Sequence, residues 1–351
     1  MAGIHEVAEQ AGVSITTVSH VFSGKRPVAP DTRQRVLQAA ELLQYRPNRT
    51  ARGLATGRAM TIGLHFPYVG DPFVLNPYFP ALLQGLSAAA AESGYGFLLL
   101  PASPDGEASL DELIEARRLD GVIVADPETS DPVIPALVRS KVPLVTTGRF
   151  LPDPDLPWVD NDHAGAIRDM FAHLSKQGYR RPALLSHRGG FSYIADIEAA
   201  YTEEATGRDM PVMIRRGPDL SEQLGYRAAL RLLDRREPPD VIIACVDRQA
   251  IGVLRAADEL GLRVPEELGV AGEGDTVLAE HSRPPLTSIR VHPAKLGAAA
   301  VEIMLGLLEG ERGDNRMIPA EVVPRRSTRR NAAPPTPGRA ARTARPSSGR
   351  G

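Results

Sequence analysis

The chain has 351 residues, one cysteine, a net charge of −2 and an apolar share of 42%, which suffices for a small head and a large two-lobed body. The lone Cys245 excludes an internal disulfide framework and fits a reducing cytoplasm. No charged-then-apolar leader opens the sequence, and no apolar run nears the ~20 residues of a membrane helix. The small net charge conceals a partition. Residues 1–58 hold eight Lys and Arg against four acids, residues 325–351 hold eight Arg and no acid, and the middle is therefore acidic. A basic head on an acidic body directs phosphate binding to the head.

Ile4, Val7, Ala8 and Ala11 recur at helical spacing and predict a short helix with one buried face. Gly12 supplies a tight turn, and Ser14 can cap a second helix through Phe22. Val18, Val21 and Phe22 face inward on it, whereas Ile15, Thr16, Ser19 and His20 do not. Two short helices joined at a glycine, with small Ala8 at the crossing, predict a helix-turn-helix. The N-terminal part of the second helix of such a unit meets base edges in the major groove. Thr16 can donate or accept there, Ile15 can touch a thymine methyl, and His20 can donate to guanine. The alternative is that Thr16 and His20 are plain surface residues of a small helical domain. A third helix over 30–43 starts on Pro30 and Asp31, buries Val36, Ala39, Ala40 and Leu43, leaves Arg33 and Arg35 outside, and stops at Tyr45-Arg46-Pro47.

Asn48 then caps about two further turns with Gly53 inside, too short to be helical alone in water. Such a segment orders when it binds. Arg49 and Arg52 suit phosphates, and Leu54 can wedge between base steps from the minor groove; a plain linker with one packed leucine is the alternative. The stretch I-H-E-V-A-E-Q-A-G-V-S-I-T-T-V-S-H-V-F, followed by T-R-Q-R-V-L-Q-A-A and Y-R-P-N-R-T-A-R-G-L, resembles the lactose/galactose repressor family of bacterial transcription regulators without a gap. The resemblance implies that Ile15, Thr16 and His20 read bases and that Leu54 belongs to a hinge helix that folds on operator DNA. The DNA-facing set is then Ser14, Ile15, Thr16, Thr17, Ser19, His20 and Arg33 in the head, with Asn48, Arg49, Ala51, Arg52 and Leu54 in the hinge. Ala29 stands where the family more often places a capping serine.

From Thr61 the pattern alternates. Strands are expected at Thr61–Phe66, Gly96–Leu100, Gly121–Ala125 and Pro143–Thr147, with helices over 78–93, 107–118 and 131–139. After Arg149 it restarts. Helices over 163–177, 193–206, 221–235 and 248–260 alternate with 182–186, Pro211–Ile214, Asp240–Ala244 and Leu268–Ala271. This is βαβ alternation twice over, so the fold class is α/β: an all-α head and two doubly wound lobes with a cleft between them. Sheets of this kind bind ligands beyond the carboxyl ends of their strands. Ser103, Asp126, Arg149, Asp160-Asn161-Asp162, His187, Asp247 and Asp275 fall there.

The resemblance extends more loosely over the body, through R-P-A-L-L, P-P-D-V-I-I-A, D-R-Q-A-I-G-V-L-R-A, G-L-R-V-P-E-E-L-G-V-A-G and P-P-L-T-S-I-R. It implies a periplasmic-binding-protein-like effector domain with Phe79, Asp160 or Asp162, Asp247 and Asp275 in the pocket, where carboxylates accept hydrogen bonds from sugar hydroxyls. Ser103 and Arg149 complete the expected effector set. Three departures from the family pattern stand at Ile197 (usually arginine), Val246 (usually asparagine) and Gly274 (usually an acid), so the usual sugars do not follow. Each pocket acid can equally be a helix cap, a turn residue or a surface charge.

Other constellations come out empty. Gly272-Glu273-Gly274 is half of a dinucleotide fingerprint, no G-x-S-x-G elbow occurs, and the histidines lack metal spacing. His163, His173 and His187 read as surface or capping residues. The helix over 293–309 packs on the body, and from Pro324 the composition turns to Arg, Pro, Ala, Gly and Ser, as in a disordered tail. The expected organisation is a DNA-binding head over 1–46, a hinge over 47–58, an effector-binding and dimerisation body over 59–324, and a basic tail over 325–351. The expected protein is a cytoplasmic homodimeric regulator, not an enzyme, with no cofactor and no metal, whose partners are near-palindromic operator DNA and a small effector. A solute-binding protein or sugar-modifying enzyme on the same two-lobed fold is the alternative.

Overall fold

The computed structural model describes residues 3–23, 26–45, 58–66, 77–100, 112–116 and 118–330. In the head, helices α1 (Ile4–Ala11), α2 (Ile15–Ser23) and α3 (Pro30–Leu42) follow the predicted periodicity. Val7, Val18 and Val36 are wholly buried, one from each helix, with Ala8, Ala11, Ala39 and Ala40 closing the gaps between them. Gly12 ends α1 at φ 62°, a left-handed conformation that costs glycine little. Phe22 packs its ring 5.7 Å from that of Tyr45, which ties the end of α2 to the end of α3. Ala29 caps α3 without a side-chain hydrogen bond, and Pro30 takes its first turn.

The chain beyond the head forms two sheets. The first runs β11 (Arg316–Ile318), β5 (Trp158–Asn161), β4 (Leu144–Thr147), β3 (Gly121–Ala125), β1 (Thr61–His65), β2 (Gly96–Leu100), and the second β12 (Glu321–Val323), β10 (Thr287–Arg290), β9 (Gly269–Glu273), β8 (Val241–Ala244), β6 (Pro182–His187), β7 (Ile214–Gly217). In the first, β1 (Thr61–His65) pairs in parallel with β2 (Gly96–Leu100) and β3 (Gly121–Ala125). β3 then pairs with β4 (Leu144–Thr147), and β4 with β5 (Trp158–Asn161). All five residues of β3 are buried, the continuous apolar run of a strand covered on both faces. Helices α4 (Tyr78–Glu92) and α5 (Val133–Ser140) belong to this layer order, as does the long α11 (Pro293–Leu308). A Cβ on Gly85 would collide with the Ala294 carbonyl, and one on Gly297 would lie 2.5 Å from the Leu82 oxygen. The two glycines thus let α4 and α11 touch backbone to backbone.

In the second sheet β6 (Pro182–His187) pairs in parallel with β7 (Ile214–Gly217) and β8 (Val241–Ala244). β8 pairs with β9 (Gly269–Glu273), β9 with β10 (Thr287–Arg290), and β12 (Glu321–Val323) joins β10 antiparallel. Helices α6 (His163–Lys176), α7 (Ser192–Gly207), α8 (Glu222–Leu233), α9 (Asp247–Glu259) and α10 (Val277–His281) connect them. The chain divides into two compact units. The first includes Ala81–Val159 and Ala294–Arg316, and the second Asp160–Pro293 and the chain from Met317. No helix among the described residues is long and apolar enough to cross a membrane.

The structure departs from the sequence reading in several places. β5, β10, the short β11 (Arg316–Ile318) and β12 were not among the expected strands, and the strand expected at Pro211–Ile214 lies at Ile214–Gly217. The expected helix over 107–118 is seen as helix at 112–115, and its earlier residues lie outside the described set. The reading that placed a disordered tail from residue 325 is corrected, because residues 325–330 are packed. Ser327 and Thr328 are fully buried. Ser327 Oγ donates to the Val270 carbonyl at 2.6 Å and accepts the Thr287 N–H at 2.8 Å. The Arg330 guanidinium lies 3.8 Å over the Tyr179 ring. Charge and small residues suggested a tail, but hydroxyls that saturate buried backbone groups seat these residues on the sheet. Residues 331–351 lie outside the described set.

Candidate functional site

Two regions collect the residues expected to bind. In the head, Ser14 Oγ accepts the Thr17 N–H at 3.1 Å and shares a 2.9 Å hydrogen bond with Thr17 Oγ1. Both residues therefore fix the start of α2. This presents Ile15, 40% exposed, together with exposed Thr16 and Ser19 on the outer face, with His20 half-buried beside them. Arg33 is exposed on α3. The N-terminal turns of α2 thus offer a methyl-rich side chain, hydroxyls and an imidazole to a groove, while Val18 and Val21 hold the helix down from behind. Asn48, Arg49, Ala51, Arg52 and Leu54 lie outside the described residues, and so does Ser103.

The second region is a buried polar cluster in the second unit. His163, the first residue of α6, is not the surface or capping residue expected; it is 6% exposed. Its Nδ1 lies 2.9 Å from Glu273 Oε1 and its Nε2 3.4 Å from Asp160 Oδ1. Burial alone lowers the imidazole pKa, but the Glu273 charge and the hydrogen bonds to Asp160 and Glu273 outweigh it. The net effect holds His163 well above its ordinary value. Asp160, 2% exposed, also accepts the Ser192 hydroxyl at 3.2 Å and the Asn161 N–H at 2.8 Å. Glu273 Oε2 is buried and has no hydrogen-bond partner among the described residues.

A run of rings borders this cluster. The Tyr193 ring is centred 5.6 Å from His163 and 5.5 Å from Phe191, which lies 5.6 Å from His187. His187 Nδ1 accepts the Gly189 N–H at 2.8 Å, which leaves Nε2–H to donate to the Pro218 carbonyl at 3.1 Å. Carboxylates beside aromatic faces suit a ligand that carries hydroxyls on one side and C–H surface on another.

The other expected effector residues take different parts. Asp162 caps α6, with its Oδ1 accepting the Gly165 N–H at 2.7 Å. Asp247 is 1% exposed. Its Oδ2 takes the Thr276 N–H at 2.7 Å and hydroxyl at 2.8 Å, and its Oδ1 takes the Ser288 hydroxyl at 2.6 Å. Desolvation pushes its carboxyl up to about 6 against those hydrogen bonds. Asp275 adopts a left-handed backbone at φ 47°. It pairs with Arg290 Nε at 2.6 Å and Arg325 Nη2 at 2.6 Å. Arg149 stacks over Trp158 at 5.9 Å, and buried Phe79 meets Tyr78 edge-on at 5.4 Å. Ile197, where the resemblance leads one to look for an arginine, is 1% exposed and part of the apolar interior.

The first unit holds one more buried polar pair that the sequence reading missed. His65 ends β1, and its Nε2 lies 3.9 Å from Asp131 Oδ2. Burial lowers the His65 pKa, with Asp131 opposing. The signal for both His65 and His163 was a histidine at a strand end or just past it, the place where doubly wound sheets bind ligands. Among the described residues no group of His, Cys, Asp and Glu is arranged to hold a metal ion.

Residues 3–48 match the family model for bacterial regulatory proteins of the lacI family, and residues 171–328 match a periplasmic binding protein-like domain. The HTH-type transcriptional regulator AglR of Rhizobium meliloti (strain 1021) is 31% identical over 336 residues, 93% of this chain and 94% of that protein. CelR of Thermobifida fusca is 31% identical over 312 residues, 87% of this chain and 91% of that protein. Among solved structures, a CelR–cellobiose complex superposes with a TM-score of 0.73 at 27% identity, covering 93% of this chain and 100% of that one. The lac repressor dimer bound to operator and an anti-inducer gives 0.73 at 25%, covering 93% and 99%.

Proposed function

Given that the chain belongs to the lacI family of bacterial regulatory proteins, and is thus a DNA-binding transcriptional regulator, we propose that it is a cytoplasmic homodimeric repressor whose operator affinity is set by a small, sugar-like effector. Residues 1–46 form the reading head, 47–58 the hinge, and the body from 59 the effector-binding and dimerisation domain. The exposed face of α2, with Ile15 at 40% exposure and Thr16 and Ser19 beside it, supports the reading most strongly. Two heads related by a two-fold axis call for a near-palindromic operator with two half-sites.

The effector is assigned to the cluster of Asp160, His163 and Glu273 with Phe191 and Tyr193. His163 donates, the carboxylates accept, and the rings cover C–H surface, a complement to a polyhydroxylated ring. The relative crystallised with cellobiose supports this class of ligand. The losses at Ile197, Val246 and Gly274 argue for a different member of the class. Binding at one site alters affinity at the other by a reciprocal coupling free energy.

The test has two arms. Full-length protein is mixed with fragmented genomic DNA, bound fragments are recovered, and the region upstream of its own gene is assayed by gel shift. A thermal-shift screen of sugars follows, since a ligand of the folded state raises stability by mass action. The proposal expects recovered fragments that share a near-palindrome and at least one sugar that shifts both melting and DNA affinity. Retention of random duplex as well as any genomic fragment, with every sugar tried, contradicts it.

A further inference from the structure

The second unit carries a cavity of about 230 Å³ at the edge of its sheet, beside β7 and α8. Arg188, Arg215, Arg216, Arg227 and Arg231 line it, and no acid does. Glu198 neutralises one of them, gripping Arg216 through both carboxylate oxygens. The other four form no ion pair among the described residues, although the body of the protein is acidic. An anion that enters meets four guanidiniums and no competing carboxylate among the lining residues.

A second observation bears on what occupies the cavity. Gln249, also in its wall, is 0% exposed. Its Nε2 donates to the Asp219 carbonyl at 3.3 Å, but its Oε1 has no partner among the described residues. A buried amide oxygen without a donor is expensive to leave so. It asks for a hydroxyl or N–H from whatever enters. Leu185, Leu224 and Ala228 supply an apolar floor, which strengthens each charge contact above it.

We propose that this cavity is an anion site for a small phosphate compound bearing a hydroxyl, separate from the sugar-like effector site assigned above. Guanidinium forks match phosphate oxygens in pairs, and the Gln249 oxygen accepts from the hydroxyl. The site is concave and of small-molecule size, which favours a compact ligand over the rail of a duplex backbone. A bland role for the arginines exists: charge along an exposed edge strand blocks edge-to-edge association. The experiment separates the two.

Full-length protein is titrated calorimetrically with inorganic phosphate, glycerol 3-phosphate and glycerol, at constant ionic strength set with chloride. The proposal expects phosphate and glycerol 3-phosphate to bind and glycerol not to. The double variant Arg227→Ala/Arg231→Ala loses two charge-assisted contacts and binds at least about tenfold more weakly, whereas Arg227→Lys/Arg231→Lys keeps part of the affinity. All four arginines outside the Glu198 pair are exposed, so circular dichroism should show both variants folded. A His163→Ala variant keeps phosphate binding, which separates this site from the effector cluster. No heat with phosphate at millimolar concentration, or equal affinity in the alanine variant, overturns the proposal. Competition by random duplex that disappears in the alanine variant overturns it too, and makes the patch a nucleic-acid backbone contact.

Discussion

His163 holds its proton more tightly than a free imidazole, in surroundings whose burial alone would loosen it. Its stabilising effect depends on Glu273 and Asp160 flanking it. Because its folded pKa is raised above the unfolded value, that stability is full below the ordinary imidazole pKa and is lost as pH rises through the folded one. His163→Gln should therefore lower stability at neutral pH by about 3 kcal/mol, as for breaking a buried pair, with the deficit shrinking at alkaline pH in urea titrations. Asp247 behaves in the same sense, because its folded form also holds the proton more tightly than the unfolded one. Its folded carboxyl titrates at about 6 against an ordinary 3.8, so folding takes up a proton between those values. Stability from this group falls as pH rises from 3.8 to 6 and is level beyond. Asp247→Asn should flatten that fall, by about 3 kcal/mol at the limit, in the difference between variant and parent unfolding curves. Acids at strand ends look alike in sequence. What separates Asp247 from Asp160 is who already donates to each, and for Asp247 the donors are Thr276 and Ser288, well removed along the chain. Periodicity carries no such information.

Elements were legible where one physical signal dominated. The head showed all three helices because each has a single apolar stripe meeting one small core. The central strands showed because parallel strands covered on both faces are unbroken apolar runs, as at Gly121–Ala125. The missed strands lack that signal. β5 ends in buried Asp160 and Asn161, β10 is Thr-Ser-Ile-Arg, and β11 and β12 are three residues each, while β7, expected a few residues early, is Ile-Arg-Arg-Gly at an edge. The end of the chain was misread for the same reason. Composition marks 325–330 as tail, but Arg325 pairs with Asp275, Ser327 bonds backbone groups of β9 and β10, and the Thr328 hydroxyl meets that of Thr287. Truncation after Arg330 should leave the melting temperature within a degree or two. Truncation after Pro324 should lower stability by several kcal/mol, since it strips partners from buried polar groups. Equal melting of the two truncations would contradict the packing described.

At the scale of the whole molecule, the proposed reading couples a reading head to a body with two ligand sites. The hinge over 47–58 is where that coupling reaches DNA on the proposed reading. Leu54→Ala should reduce operator bending and weaken operator binding by about 1–3 kcal/mol while leaving sugar binding intact; circular-permutation gel shifts check the bend. The double lobes were evident from two rounds of βαβ alternation, and the head from its motif. The ligand was not, because the three positions where the family pattern is informative, Ile197, Val246 and Gly274, carry none of the expected polar groups.

The central claim is that the outer face of α2 selects the DNA sequence. It is tested most directly by fluorescence anisotropy on the recovered operator and a scrambled duplex at one fixed salt concentration, with parent protein and Thr16→Ala/His20→Ala. The parent should prefer the operator by about 10³-fold or more. The variant should lose about 1–3 kcal/mol of that preference for each contact removed and keep its affinity for scrambled duplex. An unchanged preference in the variant would contradict the account.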